Sequence, residues 1–318
     1  MADPTLDRAN AVDGRGVVRR AVCPLCGSAS SRDEGIVPHS MPANIGGVAL
    51  DISGVEFHVR RCTVCEFLYK DPVISFDALM ECYRRIPETF YGFEVDSRRR
   101  RFDDIGATLA QHAPGRRILD VGCFNGAFLK SLGDSWDRYG VDPCGPATDV
   151  AKQRGATILG ETIDDVDPAQ KFDAIVAIDV AEHIVDPLGF FQQVRDRLKP
   201  RGIAMFVTGD SQAPLWKWQR SLYWYVIIPE HVGFYSEPTM RWIAKKLGME
   251  TIEHIRRSHQ RDTLTNKGLQ TAKNVGYMAT RAVGGLGIAS IRKSVFSRGA
   301  PGWTMSKDHM YHVMRRVD

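Results

Sequence analysis

One run constrains this chain more than any other: Ile118-Leu119-Asp120-Val121-Gly122-Cys123-Phe124-Asn125-Gly126-Ala127-Phe128-Leu129. Apolar residues around a single acid read as a buried strand. Two glycines with three residues between them then make a turn, and a helical pattern follows. Glycine lets the backbone turn sharply and come close to a ligand where a Cβ would clash. Strand, Gly-rich turn and helix together mark the ligand end of a doubly wound α/β sheet. A dinucleotide site needs a third glycine in G-x-G-x-x-G, and it is missing here. No Lys or Arg between Asp120 and Leu129 is present to partner a phosphate. An acid at such a turn suits a cationic ligand.

The segments that follow keep the same alternation. Arg138-Tyr139-Gly140-Val141-Asp142-Pro143 reads as a second strand ending in an acid, with Asp142 20 residues after Gly122. A carboxylate there can accept the hydroxyls of a ribose. Alternatively, it caps the helix expected near 147–154. A third strand, 156–159, leads into Glu161-Thr162-Ile163. A fourth, Phe172 to Ile178, is apolar throughout, as in a strand buried on both faces. It runs into Asp179-Val180-Ala181-Glu182-His183. Helix 188–198 stops at Lys199-Pro200-Arg201-Gly202, strand 203–208 follows, and then come helix 237–247 and strand 250–255. The pattern predicts an α/β fold: a mostly parallel sheet with helices on both faces.

These motifs resemble those of the class I S-adenosylmethionine-dependent methyltransferases. The match spans about residues 100–255 and includes the Phe-Asp-Ala-Ile, Glu-His-Ile and Leu-Lys-Pro-Arg-Gly strings. The resemblance implies a Rossmann-like methyltransferase sheet that binds S-adenosyl-L-methionine. Its contacts would be Asp120, Gly122, Cys123, Asn125 and Gly126 at the first turn, and Asp142 and Pro143 at the ribose. Glu161, Thr162 and Ile163 would lie near the adenine, with Asp179 and Val180 after the fourth strand. It also implies that Asp308–Arg316 is the last, antiparallel strand, so that a basic helical insertion fills about 263–307.

A second signal lies upstream. Cys23-Pro24-Leu25-Cys26 and Cys62-Thr63-Val64-Cys65 are two C-x-x-C pairs separated by 35 residues. Four thiolates at this spacing complete a closed tetrahedral shell, which is the structural rather than the catalytic form of a zinc site. Alternating Val55, Phe57 and Val59 suggest hairpins between the pairs, and hence a zinc ribbon. The expected division is a ribbon-like domain over 1–95 and a methyltransferase domain over 96–318. Cys82, Cys123 and Cys144 show no partner spacing, and metal-type pairs favour a reducing, cytoplasmic setting. No apolar leader follows Met1, and no run approaches the ~20 apolar residues of a membrane span.

Net charge is +4 over 318 residues, which does not call for nucleic acid. The ribbon region balances Arg32, Arg60 and Arg61 against Asp33, Glu34, Asp51 and Glu56. Arg98 to Arg101 read as a solvated helix start. No acid occurs from Thr263 to Lys307, so that segment is either a surface helix pair or a peripheral contact with an anionic membrane.

For the chemistry, two histidines stand out. His183 follows the fourth strand, and His231 sits in Pro229-Glu230-His231-Val232-Gly233-Phe234-Tyr235. An imidazole suits a general base acting on a hydroxyl. His231 is the preferred base because it leaves an aromatic loop containing Trp216, Trp218, Tyr223, Trp224 and Tyr225, which reads either as a lid or as a flap on the sheet. His183 would position the acceptor. The expected acceptor is a small molecule or glycan, methylated at a hydroxyl oxygen. The alternatives are a sugar C-methyltransferase and an RNA or protein methyltransferase that docks through the ribbon.

Overall fold

The computed structural model describes residues 11–12, 16–38, 43–87, 95–258, 264–284, 300–302 and 307–318. The strands are β1 (Ala11–Val12), β2 (Val17–Val18), β3 (Ser31–Val37), β4 (Ala43–Ile45), β5 (Val48–Leu50), β6 (Phe57–Cys62), β7 (Leu68–Asp71), β8 (Val73–Ile74), β9 (Arg117–Val121), β10 (Asp137–Val141), β11 (Thr157–Gly160), β12 (Phe172–Ile178), β13 (Leu198–Gly209), β14 (Gly233–Phe234), β15 (Met249–Arg257) and β16 (His309–Arg316). The helices are α1 (Phe76–Arg84), α2 (Val95–His112), α3 (Ala127–Ser131), α4 (Gly145–Gln153), α5 (Pro187–Arg197), α6 (Pro214–Gln219), α7 (Glu237–Lys246) and α8 (Leu264–Gly284).

A seven-stranded sheet in the order β11-β10-β9-β12-β13-β16-β15 forms the centre. From β11 to β13 every pairing is parallel, and β16 runs antiparallel between β13 and β15. Apolar runs fix this arrangement: β12 is buried along nearly its whole length and packs on both faces. On one face Leu119, Ile175 and Phe206 meet Phe191 and Ile243, and on the other Ile118, Val176 and Met205 meet Ile105 and Leu109. The order reverses between β9 and β12, so their carboxyl ends open a crevice at the switch point.

The cysteine hairpins carry a second, four-stranded sheet, β14-β7-β6-β3. Its edge strand β14 is supplied by the segment after β13, with Gly233 opposite Tyr69 and Phe234 opposite Leu68. Cys23, Leu25, Phe67 and Tyr69 share one core with Phe191 and Tyr235, so the hairpins are packed into the large sheet's own layer.

Two local expectations change. Arg101 does not begin a helix in solvent: α2 starts at Val95, and Arg101 lies inside it, facing the crevice. The aromatic segment after β13 is not a solvent-side lid. Trp216, Tyr223 and Tyr225 are at most 3% exposed and pack on Phe57, Leu68 and Phe234, because they fill the seam between the two sheets. Of the basic insertion, α8 is described and is mostly exposed, with Asn274 buried against Gln219 at 2.9 Å. The remainder, 285–299 and 303–306, lies outside the described residues. Among the described residues no helix is long and apolar enough to cross a membrane.

Candidate active site

The β9–α3 turn builds the floor of the crevice. Gly122 and Gly126 both have positive φ (76° and 71°), a conformation that residues with a Cβ rarely adopt. A Cβ on Gly122 would meet Val180 Cγ2 at 2.4 Å, and one on Gly126 would meet Ala151 Cβ at 2.9 Å. The glycines therefore serve close strand–helix packing as well as the turn. The Gly122 and Cys123 N–H groups donate to the Val141 carbonyl, at 2.9 and 3.1 Å, tying the turn to β10. Asn125 Oδ1 accepts from the Ala127 N–H at 3.2 Å.

Two acids face this turn. Asp120 is 3% exposed, and its Oδ1 has no hydrogen-bond partner among the described residues. Burial, with Asp142 nearby, pushes its carboxyl well above the usual range. An orphaned buried carboxylate oxygen fits a cationic ligand group, since burying a charge unpaired is costly. Asp142 uses both oxygens on backbone donors: Oδ2 accepts from Phe124 N and Oδ1 from Cys144 N, each at 2.8 Å. Each carboxylate oxygen has a second lone pair, so this backbone role and a ribose contact are compatible. Burial raises Asp142 to about 6.

The crevice is a cavity of about 1380 Å³, lined by the expected cofactor residues other than Gly126, by His183 and His231, and by Phe76, Met80 and Tyr83 of α1. Glu161 is also latched to α1, with Arg84 donating to it at 2.6 to 3.1 Å. Ile163 is buried, and Thr162 caps the short turn over 163–165. Asp179, in the left-handed region at φ 54°, accepts from Arg101 at both oxygens, 2.8 Å each. Burial opposes the guanidinium charge, and Asp179 holds it on.

Past Asp179 lies a tight cluster. Glu182 is fully buried and accepts from Thr208 Oγ1 at 2.8 Å and from the Tyr225 hydroxyl. Burial, with Asp179 nearby, pushes Glu182 up to about 7. His183 and His231 meet edge to face, with ring centroids 4.8 Å apart. His183 Nδ1 bonds the Tyr83 hydroxyl at 3.0 Å, and His231 Nδ1 bonds the Tyr225 carbonyl at 2.8 Å. A carbonyl only accepts, so Nδ1 of His231 carries the proton and Nε2 is its basic nitrogen. Burial lowers His183. Burial, then His183 and Lys70, lower His231 well below the ordinary histidine value, so it is neutral at pH 7.

The four upstream cysteines converge. Their sulfurs lie within 4.8 Å of one another, with Cys23–Cys65 at 3.7 Å and Cys26–Cys62 at 3.5 Å. A tetrahedron with metal–sulfur bonds of ~2.3 Å has edges of ~3.8 Å, so the donor set fits a thiolate-bound ion. Gly27 and Glu66, both at positive φ, follow the two pairs and turn the chain back.

Sequence reasoning missed Arg101, Tyr83, Lys70 and Glu230. Arg101, Tyr83 and Lys70 reach the site from elements distant in sequence, with no spacing to announce them, whereas Glu230 stands beside His231 in the string from Pro229 to Tyr235.

The sheet order and the cofactor turn define a Rossmann-like class I S-adenosylmethionine-dependent methyltransferase. Residues 95–254 match the family model described as a methyltransferase domain, about half of the chain, and the chain belongs to that family. It is 33% identical over 107 residues to the ubiquinone biosynthesis O-methyltransferase of Actinobacillus pleuropneumoniae, covering 30% of this chain and 46% of that protein. It is 28% identical over 165 residues to the tRNA U34 carboxymethyltransferase of Alteromonas mediterranea, covering 43% and 48%. The chain spans about half the length of the curated relatives it matches. The solved N-methyltransferase NodS from Bradyrhizobium japonicum, bound to S-adenosyl-L-homocysteine, superposes with a TM-score of 0.46 at 14% identity, over 75% of this chain and 97% of that one.

Proposed function

We propose that the enzyme methylates a hydroxyl oxygen of a saccharide-like or other small-molecule acceptor, with His231 as general base and His183 positioning the acceptor. One observation carries this reading: His231 lies on the wall of the cavity that Asp179 and Val180 also line, with Nδ1 committed to a carbonyl and Nε2 left as the acceptor nitrogen. S-adenosyl-L-methionine supplies an electrophilic methyl on a sulfonium. The acceptor oxygen forms the new bond to that carbon, the carbon–sulfur bond breaks, its electron pair stays on sulfur, and the hydroxyl proton passes to Nε2. The protein's part is to orient the acceptor, exclude water and hold that proton.

The cofactor residues in this reading are Asp120, Gly122, Cys123, Asn125, Gly126, Asp142, Pro143, Glu161 to Ile163, Asp179 and Val180. Cys23, Cys26, Cys62 and Cys65 hold one structural zinc, a reading supported by the sulfur spacing. The ribbon-like domain ends near residue 95, and the methyltransferase domain follows it. The ribbon turns its Val18–Gly27 segment toward the cavity, which favours a wall of the small-molecule site over a docking arm for RNA or protein. All seven cysteines are unbridged, in keeping with a reducing, cytoplasmic setting.

The test is transfer from methyl-labelled S-adenosyl-L-methionine to panels of saccharides, phenols, amines and bulk tRNA, with the product bond identified by mass spectrometry and NMR. An O-methyl ether on a small acceptor is expected. A methylated amine, carbon or RNA as the efficient product would overturn the proposal.

A further inference from the structure

Lys70, on β7 of the cysteine module, is 0% exposed. A buried ammonium is costly unless polar groups meet it. Here Nζ donates to the Ile228 carbonyl at 2.7 Å and to the Pro229 carbonyl at 3.4 Å. These carbonyls belong to the turn that ends in His231, whose own N–H donates to the Ile228 carbonyl at 3.2 Å. Just beyond, the Lys70 N–H donates to the Val232 carbonyl at 3.0 Å, and the Val232 N–H donates to the Glu182 carbonyl at 2.7 Å. Lys70 thus grips the turn by side chain and backbone, where the β7–β14 ladder ends. Glu230, 8% exposed, lines the cavity opposite this charge, and its Oε2 has no hydrogen-bond partner among the described residues. Burial pulls Lys70 down to about 7 and pushes Glu230 up, and the opposite charge of each partner acts against that shift.

A hydrocarbon side chain would fill the same space without the desolvation cost. What the ammonium adds is direction. Two adjacent carbonyls are drawn toward β7, and the side chains of residues 230 and 231 are left to the cavity. We propose that Lys70 is a positioning residue of the acceptor wall, fixing the turn that presents Glu230 and His231 to the cavity and so coupling the cysteine module to the acceptor side of the site. This inference rests on the reading of His231 as base only for its consequence on turnover.

The test needs no acceptor. The full-length, metal-loaded chain is labelled with 15N-histidine, saturated with S-adenosyl-L-homocysteine and titrated by NMR, with His231 assigned by comparison with His231→Gln. The groups facing His231 are His183, Glu182 and Asp179 after β12, Tyr225 and Glu230 on its own segment, and Lys70 on β7. Lys70→Met is expected to keep the S-adenosyl-L-homocysteine affinity within about threefold and to keep the metal. His231 should then protonate at a higher pH, because a facing positive charge is gone, and its Nδ1–H should exchange faster. A variant that binds normally with unchanged His231 signals would refute the assignment. Lys70→Gln, which keeps one donor, carries the same test if the Met variant does not fold. Loss of S-adenosyl-L-homocysteine binding in both variants also overturns it, since Lys70 would then be required by the fold and not by the turn. Discovery of an acceptor of another class leaves this readout unaffected.

Discussion

Replacing Asp142 with asparagine separates its backbone role from its ligand role. In the structure its two oxygens take the N–H groups of Phe124 and Cys144 at 2.8 Å each, and the residue lines the cavity. Asparagine keeps one acceptor and puts a donor where the other stood. At least one hydrogen bond to a charged group is lost on the ligand side, at about 1.5–3 kcal/mol, and a donor meets a donor on the backbone side. The ligand-side loss alone, about 1.5–3 kcal/mol, corresponds to a rise of roughly 10- to 100-fold in Kd for S-adenosyl-L-homocysteine, measured by calorimetry. The pH dependence supplies a second arm. Burial raises Asp142 to about 6 in the free protein. Ribose hydroxyls donate to the carboxylate form, so the complex has the lower pKa and carries fewer protons. Affinity should therefore rise as pH increases through about 6 and level off above it. Below that point it should weaken by up to about tenfold per unit. An asparagine variant that binds within about threefold of wild type, with an unchanged pH profile, would refute the ribose assignment.

Three further outcomes are expected. His231→Ala should lower kcat by about 10²- to 10⁴-fold and leave S-adenosyl-L-homocysteine affinity intact, as steady-state kinetics and calorimetry will show; near-normal turnover would pass the base role to His183. Metal analysis should find about one zinc per chain, and Cys62→Ser should lose it together with a clear drop in Tm; a folded, active, metal-free variant contradicts this. Arg101→Met removes the guanidinium from half-buried Asp179, and urea unfolding should show a loss of about 1.5–3 kcal/mol, whereas a change below about 1 kcal/mol would make the pair a surface contact.

Local pattern in the sequence marks six of the seven strands of the large sheet, as runs of largely apolar residues between turn signals, whereas β16 followed only from the family resemblance. Local pattern also placed the turn at Gly122 and Gly126, the strand-end acid Asp142 and the cysteine pairs: each is a short motif whose chemistry depends on neighbours a few residues away. The family also followed from those motifs. Tertiary structure alone decided what closes the site. Arg101 meets Asp179 across 78 residues, Tyr83 meets His183 across 100, and Lys70 meets Ile228 across 158. The aromatic segment after β13 reads equally as a lid or as a flap on the sheet, and only the second sheet makes it a seam, since burial of Tyr223 and Tyr225 depends on Phe57 and Leu68. Periodicity reports which face of an element is apolar. It does not report which distant polar group a buried side chain will find, and that choice is made only when the sheets pack and every buried donor and acceptor must be met.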